Sequence, residues 1–85
     1  MITGVQFTGS VAANSSPRWF THSWPADWHV VWSVVPTSPQ SGAPQIEWEV
    51  ETERASSQYI TYWITIRNLT SRNVNIEARY AILNR

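Results

Sequence analysis

The run YITYWITI at residues 59–66 restricts the fold of this chain more than any other stretch, because its side chains alternate in kind with a period of two. Ile60, Tyr62, Ile64 and Ile66 are apolar or aromatic, while Thr61, Trp63 and Thr65 form the other row. Successive side chains of a strand point to opposite faces, so the even row can line a core and the odd row looks outward. A helix would need an apolar period of 3.6, which is absent here.

The same alternation recurs along the chain. Residues 45–53 (QIEWEVETE) set Ile46, Trp48 and Val50 inward and Glu47, Glu49 and Glu51 outward. Residues 74–83 place Val74, Ile76, Ala78, Tyr80 and Ile82 on one row. Residues 28–35 (WHVVWSVV) put Trp28, Val30, Trp32 and Val34 in the core, with Val31 and Val35 suggesting partial cover on the second face. Residues 18–24 alternate less cleanly, with Arg18, Phe20, His22 and Trp24 on one parity and Trp19, Thr21 and Ser23 on the other, as expected of an edge strand. Residues 2–8 carry Val5 and Phe7 on one parity and form a short first strand. The segments between, including the Pro-rich 36–44, are rich in turn formers. These runs predict one all-β domain over residues 1–85, a small antiparallel β-sandwich or flattened barrel of about six strands.

Composition narrows the partners. There is no cysteine, so neither disulfides nor a cysteine-containing zinc site can brace the fold. Six tryptophans, three tyrosines and two phenylalanines supply the packing volume. That is more ring than one small core hides, which predicts exposed rings that bind a ligand or meet a second copy in a homo-oligomer. The formal charge is zero, with all six cations arginine, and this argues against nucleic acid as a partner. No basic-then-apolar signal peptide precedes residue 10, and no apolar run approaches the roughly 20 residues of a transmembrane span, so a soluble chain is expected.

If the last three strands form a meander, their inward rows restrict the register to even sums, since a one-residue slip would turn every side chain over. A short loop at 55–57 then sets Glu49 opposite Trp63 and Glu51 opposite Thr61. A longer loop at 67–73 sets Trp63 opposite Glu77 and Thr61 opposite Arg79. The outer face would present Trp63 between Glu49 and Glu77, with Arg79 in the next row. An exposed indole flanked by carboxylates and a guanidinium suits a carbohydrate, the ring stacking on a pyranose while the charged groups fix its hydroxyls. The plainer reading is an ordinary ladder of charged pairs with Trp63 covered by a neighbour.

A second candidate is the corner Trp24, Asp27, Trp28 and His29, which could bind a ligand or simply plug the end of the sandwich. His22, Asp27 and His29 match no established metal-ligand spacing, and no metal or cofactor is expected. Catalysis has little support. There is no nucleophile elbow, and the Glu row, with neighbours about 6.6–7 Å apart, would need a deeper cleft than a small sandwich offers before it could hydrolyse a glycoside. Asn14-Ser-Ser and Asn68-Leu-Thr match the glycosylation triplet but fall in loops, where the same residues make turns.

The sequence therefore points to a non-enzymatic, lectin-like carbohydrate-binding module acting as a homo-oligomer on a glycan or other small polar ligand. The alternative is a structural or assembly subunit whose exposed aromatics are homo-oligomer interfaces. Insertion of the Trp24–Trp28 corner into a membrane surface is a third, disfavoured by the absence of lysine.

Overall fold

A computed structural model describes residues 1–85 and contains strands but no helix. In chain order the strands are β1 (Ile2–Val11), β2 (Arg18–Pro25), β3 (Val30–Pro36), β4 (Ile46–Arg54), β5 (Tyr59–Asn68) and β6 (Val74–Ile82). The run that dominates the sequence becomes β5, the central strand of a sheet ordered β2-β5-β4, and a second sheet ordered β1-β6-β3 packs on it. The architecture is a small antiparallel β-sandwich.

Both central strands put their even rows in the interior. Ile64, Ile66, Ile76 and Ala78 are fully buried, and Ile60, Val74 and Ile82 nearly so. At one end of the core Trp24 meets Trp32 at 5.4 Å and Tyr80 at 5.3 Å between ring centres, with Trp28 and Tyr62 each at 6.2 Å. These pairs are edge-to-face, the arrangement that matches the positive edge of one ring to the negative face of another. At the other end Asn68 is buried, and its amide donates to Val11 O (3.0 Å) and Arg72 O (2.6 Å) while its Oδ1 accepts from Thr70 N (2.8 Å). Asn68 is thus a turn residue that staples the β5–β6 connection to the end of β1.

The predicted meander does not form. Only the β4–β5 connection is a hairpin, and every other connection passes from one sheet to the other, so β6 lies across the core from β5 and pairs with β1 and β3. Glu77 and Arg79 therefore sit on the outer face of the opposite sheet from Trp63. The hairpin register also differs by two residues from the expectation: Glu51 faces Trp63, Glu49 faces Thr65 and Glu53 faces Thr61. The turn is longer than 55–57, because Arg54 reaches forward to Ser56 O (3.0 Å) and Ser57 O (2.8 Å) while Ser56 Oγ accepts from Gln58 N and Tyr59 N.

Two bulges change the parities of the amino-terminal half. Pairing of β2 with β5 slips between Thr21 and Trp24, where Ser23 has a φ of 66°. Trp24 is thereby turned onto the same side as Trp19 and Thr21 and is 8% exposed, off the row of Arg18, Phe20 and His22. In β1 the slip between Val5 and Phe7 leaves Val5 outside and Phe7 packed against the core. An extra residue in one strand does this in general, since it advances the two-residue alternation by one step. Edge positions account for two further departures. Trp48, on the inward row of edge strand β4, remains 37% exposed, and Val31 on β3 is 51% exposed because nothing in the chain covers that outer face.

Candidate functional site

The outer face of β2-β5-β4 gathers the chemistry that the sequence scatters. Pairing of β2 and β4 on either side of β5 builds cross-strand rows of Arg18, Thr65 and Glu49, then of Phe20, Trp63 and Glu51. Thr61 and Glu53 lie beyond on one side, Arg67 and Glu47 on the other. These side chains alternate with the inward row of their strands and line the outer face, where Thr61 is itself covered by its neighbours.

Trp63 is the centre of this face. The Arg18 guanidinium lies 4.4 Å from its ring centre, Phe20 tilts against it at 5.1 Å, and its Nε1 donates to Glu53 Oε1 at 2.8 Å. Arg18 also pairs with Glu51 at 3.0 Å, so one guanidinium serves both an aromatic face and a carboxylate. Phe20 is 59% exposed and presents the open ring surface of the group. His22 continues the strip, 6.1 Å from Phe20.

Beside this strip lies an open depression of about 390 Å³ lined by Ser16, Glu47, Trp48, Glu49, Thr65 and Arg67. Glu47 is held by Arg67 at 2.9 Å. Glu49 has no ion pair or hydrogen bond within the chain, in contrast to Glu47, Glu51 and Glu53 on the same strand. The hydroxyls of Thr65 and Ser16 are likewise not engaged by other side chains. The wall thus offers a free carboxylate and two hydroxyls beside an aromatic platform, a set that can accept from and donate to a polyhydroxylated ligand.

Of the residues expected to bind, Trp63 and Glu49 come together here, and Glu77 and Arg79 do not. The latter two pair with each other at 2.6 Å on β6, in the opposite sheet. The corner residues are divided among different tasks. Trp24 is core, its Nε1 donating to Thr21 Oγ1. Trp28 lies against Trp24 with the Arg85 guanidinium 5.8 Å from its ring centre. Asp27 pairs with Arg85 at 3.1 Å, and Asn84 bridges the corner by donating to Asp27 O and accepting from His29 N. That web ties the corner together within the chain, and His29 is exposed. No three His, Asp or Glu side chains converge as a metal site.

Arg18 and Phe20 belong to the face but were not legible as members of it, whereas Glu51 and Thr65 were legible from their outward rows and Glu53 shares that parity. The outward parity of Arg18 and Phe20 is readable along β2; that β2 lies beside β5 is a long-range pairing with no local signature. Compared with protein-family models, curated protein sequences and solved structures, the chain finds no match in any of the three.

Proposed function

We propose that the chain is a non-enzymatic carbohydrate-binding module whose site is the outer face of β2-β5-β4. The observation that carries this reading is the unpaired Glu49 carboxylate in a depression beside the Phe20–Trp63 strip. A pyranose would lay its apolar face on Phe20, meet the Trp63 edge, and direct hydroxyls toward Glu49 and Thr65. Arg18, Glu51 and Glu53 are positioning residues, because their bonds to the indole and to each other fix the ring plane. The open, shallow face favours binding over hydrolysis, which needs an acid held against the glycosidic oxygen.

The test is a glycan array followed by tryptophan-fluorescence titration with the sugars that respond. Glu49→Gln is expected to weaken binding about tenfold, in line with about 1.5–3 kcal/mol for a hydrogen bond to a charged group at the lower end of that range. Phe20→Ala is expected to remove the response. Silence across the array, or affinity untouched in both variants, overturns the reading.

One observation favours assembly as a second reading: Phe20 on one sheet and Val5 and Val31 on the other are all more than half exposed. On this reading the exposed rings meet a second copy. Light scattering across a concentration series separates the two, since a chain that associates through Phe20 loses its dimer in Phe20→Ala and gives no glycan signal.

A further inference from the structure

The flank of the sandwich where β1 and β2 are the edge strands of the two sheets carries a feature the face itself does not explain. Both edge strands bulge there, β1 between Val5 and Phe7 and β2 between Thr21 and Trp24, and Gln6 Nε2 spans the gap to donate to Thr21 Oγ1 at 3.1 Å. Bulges re-aim side chains and concentrate next to binding sites. Ser23 holds a left-handed φ of 66° without being glycine, a conformation that persists where the surroundings impose it.

Between the bulges opens a cleft of about 410 Å³ lined by Gln6, Phe7, Trp19, Phe20, Thr21 and His22. Its chemistry differs from that of the neighbouring face, because no carboxylate or guanidinium lines it. Phe7 and Trp19 are stacked at 5.4 Å, and His22 engages Ser23 Oγ through Nδ1 at 2.9 Å, which leaves Nε2 without a hydrogen-bond partner in the chain. Gln6 keeps its carbonyl oxygen free, since only its amide nitrogen is engaged. Rings with a few neutral donors and acceptors suit an uncharged polar ring and disfavour an ionic one, which would lose hydration without a counter-charge. Phe20 joins the two regions, tilting on Trp63 on one side and lining the cleft on the other.

We infer that the cleft is a second subsite, so that the ligand is a neutral oligosaccharide with one ring on the Phe20–Trp63 face and the next turned around the β2 edge against Trp19, Gln6 and His22. This rests on the carbohydrate reading of the face. It specifies the ligand further: more than one sugar unit, and no uronic or sialic acid at the second position. His22 contributes through its Nε2 and Gln6 through its Oε1, both to ring hydroxyls.

The experiment is calorimetric titration with glucose, galactose, mannose and N-acetylglucosamine and with their neutral oligomers, alongside amide chemical-shift mapping of the same mixtures. An oligomer is expected to bind at least tenfold more tightly than its monomer and to shift Gln6, Trp19 and Thr21 as well as Trp63 and Thr65. Gln6→Ala, an exposed substitution outside the Phe20–Trp63 face and checked by its melting curve, is expected to erase that tenfold gain and leave monosaccharide affinity unchanged. Equal affinity for monomer and oligomer, or shifts confined to Trp63 and Thr65, overturns the second subsite and leaves the face intact as a site. No response at either set of residues overturns the carbohydrate reading and the subsite with it.

Discussion

Trp24 donates its indole N–H to Thr21 Oγ1 at 3.0 Å, and the two residues flank the bulge that turns Trp24 into the core. Thr21 is itself buried and also accepts from Gln6. Thr21→Val keeps the volume but removes the acceptor, which strands a buried indole donor. The expected loss is about 1–3 kcal/mol, the range for leaving one buried polar group without its partner. Urea denaturation followed by tryptophan emission measures it, and Thr21→Ser, which keeps the oxygen, should lose less.

Gly4 faces Tyr80 across the β1–β6 pair, and a Cβ there would lie 2.6 Å from the Tyr80 hydroxyl oxygen and 2.8 Å from Cζ. The ring cannot simply swing away, because it packs against Trp24 and Trp32. Gly4→Ala is therefore expected to cost about 1–3 kcal/mol as an overpacking change. For a chain this size that is a fall of about 4–8 °C in Tm per kcal/mol, measurable by a thermal melt. Gly9→Ala should cost less, since the nearest atom its Cβ would meet is Trp19 Cζ2, at 3.3 Å.

Ser23 sets a contrast between two substitutions. At a φ of 66° an L side chain is disfavoured by roughly 1–2 kcal/mol, and glycine is not. Ser23→Gly should match or exceed the parent stability, with the exposed contact to His22 and the flexibility of glycine offsetting part of the relief. Ser23→Val adds β-branching at the same φ and should lose about 1–3 kcal/mol. Chemical denaturation of the pair reads both effects, and a stable Ser23→Val would show that the bulge conformation is not retained.

These sites show how far the linear pattern reaches. The inward rows of β5 and β6 were legible because alternation reports which side of a strand meets the core. Alternation is silent on whether β6 lies beside β5 or across the core from it, since the same row faces inward in both cases. A register slip of two is silent for the same reason, and this moved Trp63 from opposite Glu49 to opposite Glu51. In β1 and β2 the pattern misled outright, because each bulge inserts one residue into a period of two and exchanges the faces beyond it. Trp63 and Glu49 remained members of the face because their outward placement follows from parity alone. Glu77 and Arg79 were lost from it because theirs required the meander. Trp24, with its parity inverted by the bulge, passed from candidate ligand contact to core.

Tyr62 offers a test of the aromatic end that does not depend on any ligand. Its ring packs edge-to-face with Trp24 and Trp32, and burial pushes its hydroxyl above the usual phenol value of 10.0. The folded state therefore holds the phenolic proton more tightly than the unfolded chain does. The contribution to stability is fully present below the unfolded pKa and is lost as pH rises through the folded one, because the charged phenolate is better solvated outside the core. Unfolding midpoints in urea should fall on the alkaline side of pH 10, and Tyr62→Phe should flatten that part of the profile while leaving the neutral region close to its original shape. A tyrosinate absorbance titration reads the same group directly. In the folded protein Tyr62→Phe should delete a transition lying above the free phenol value of 10.0, and an alkaline limb unchanged by the substitution would mean that burial does not hold the Tyr62 proton.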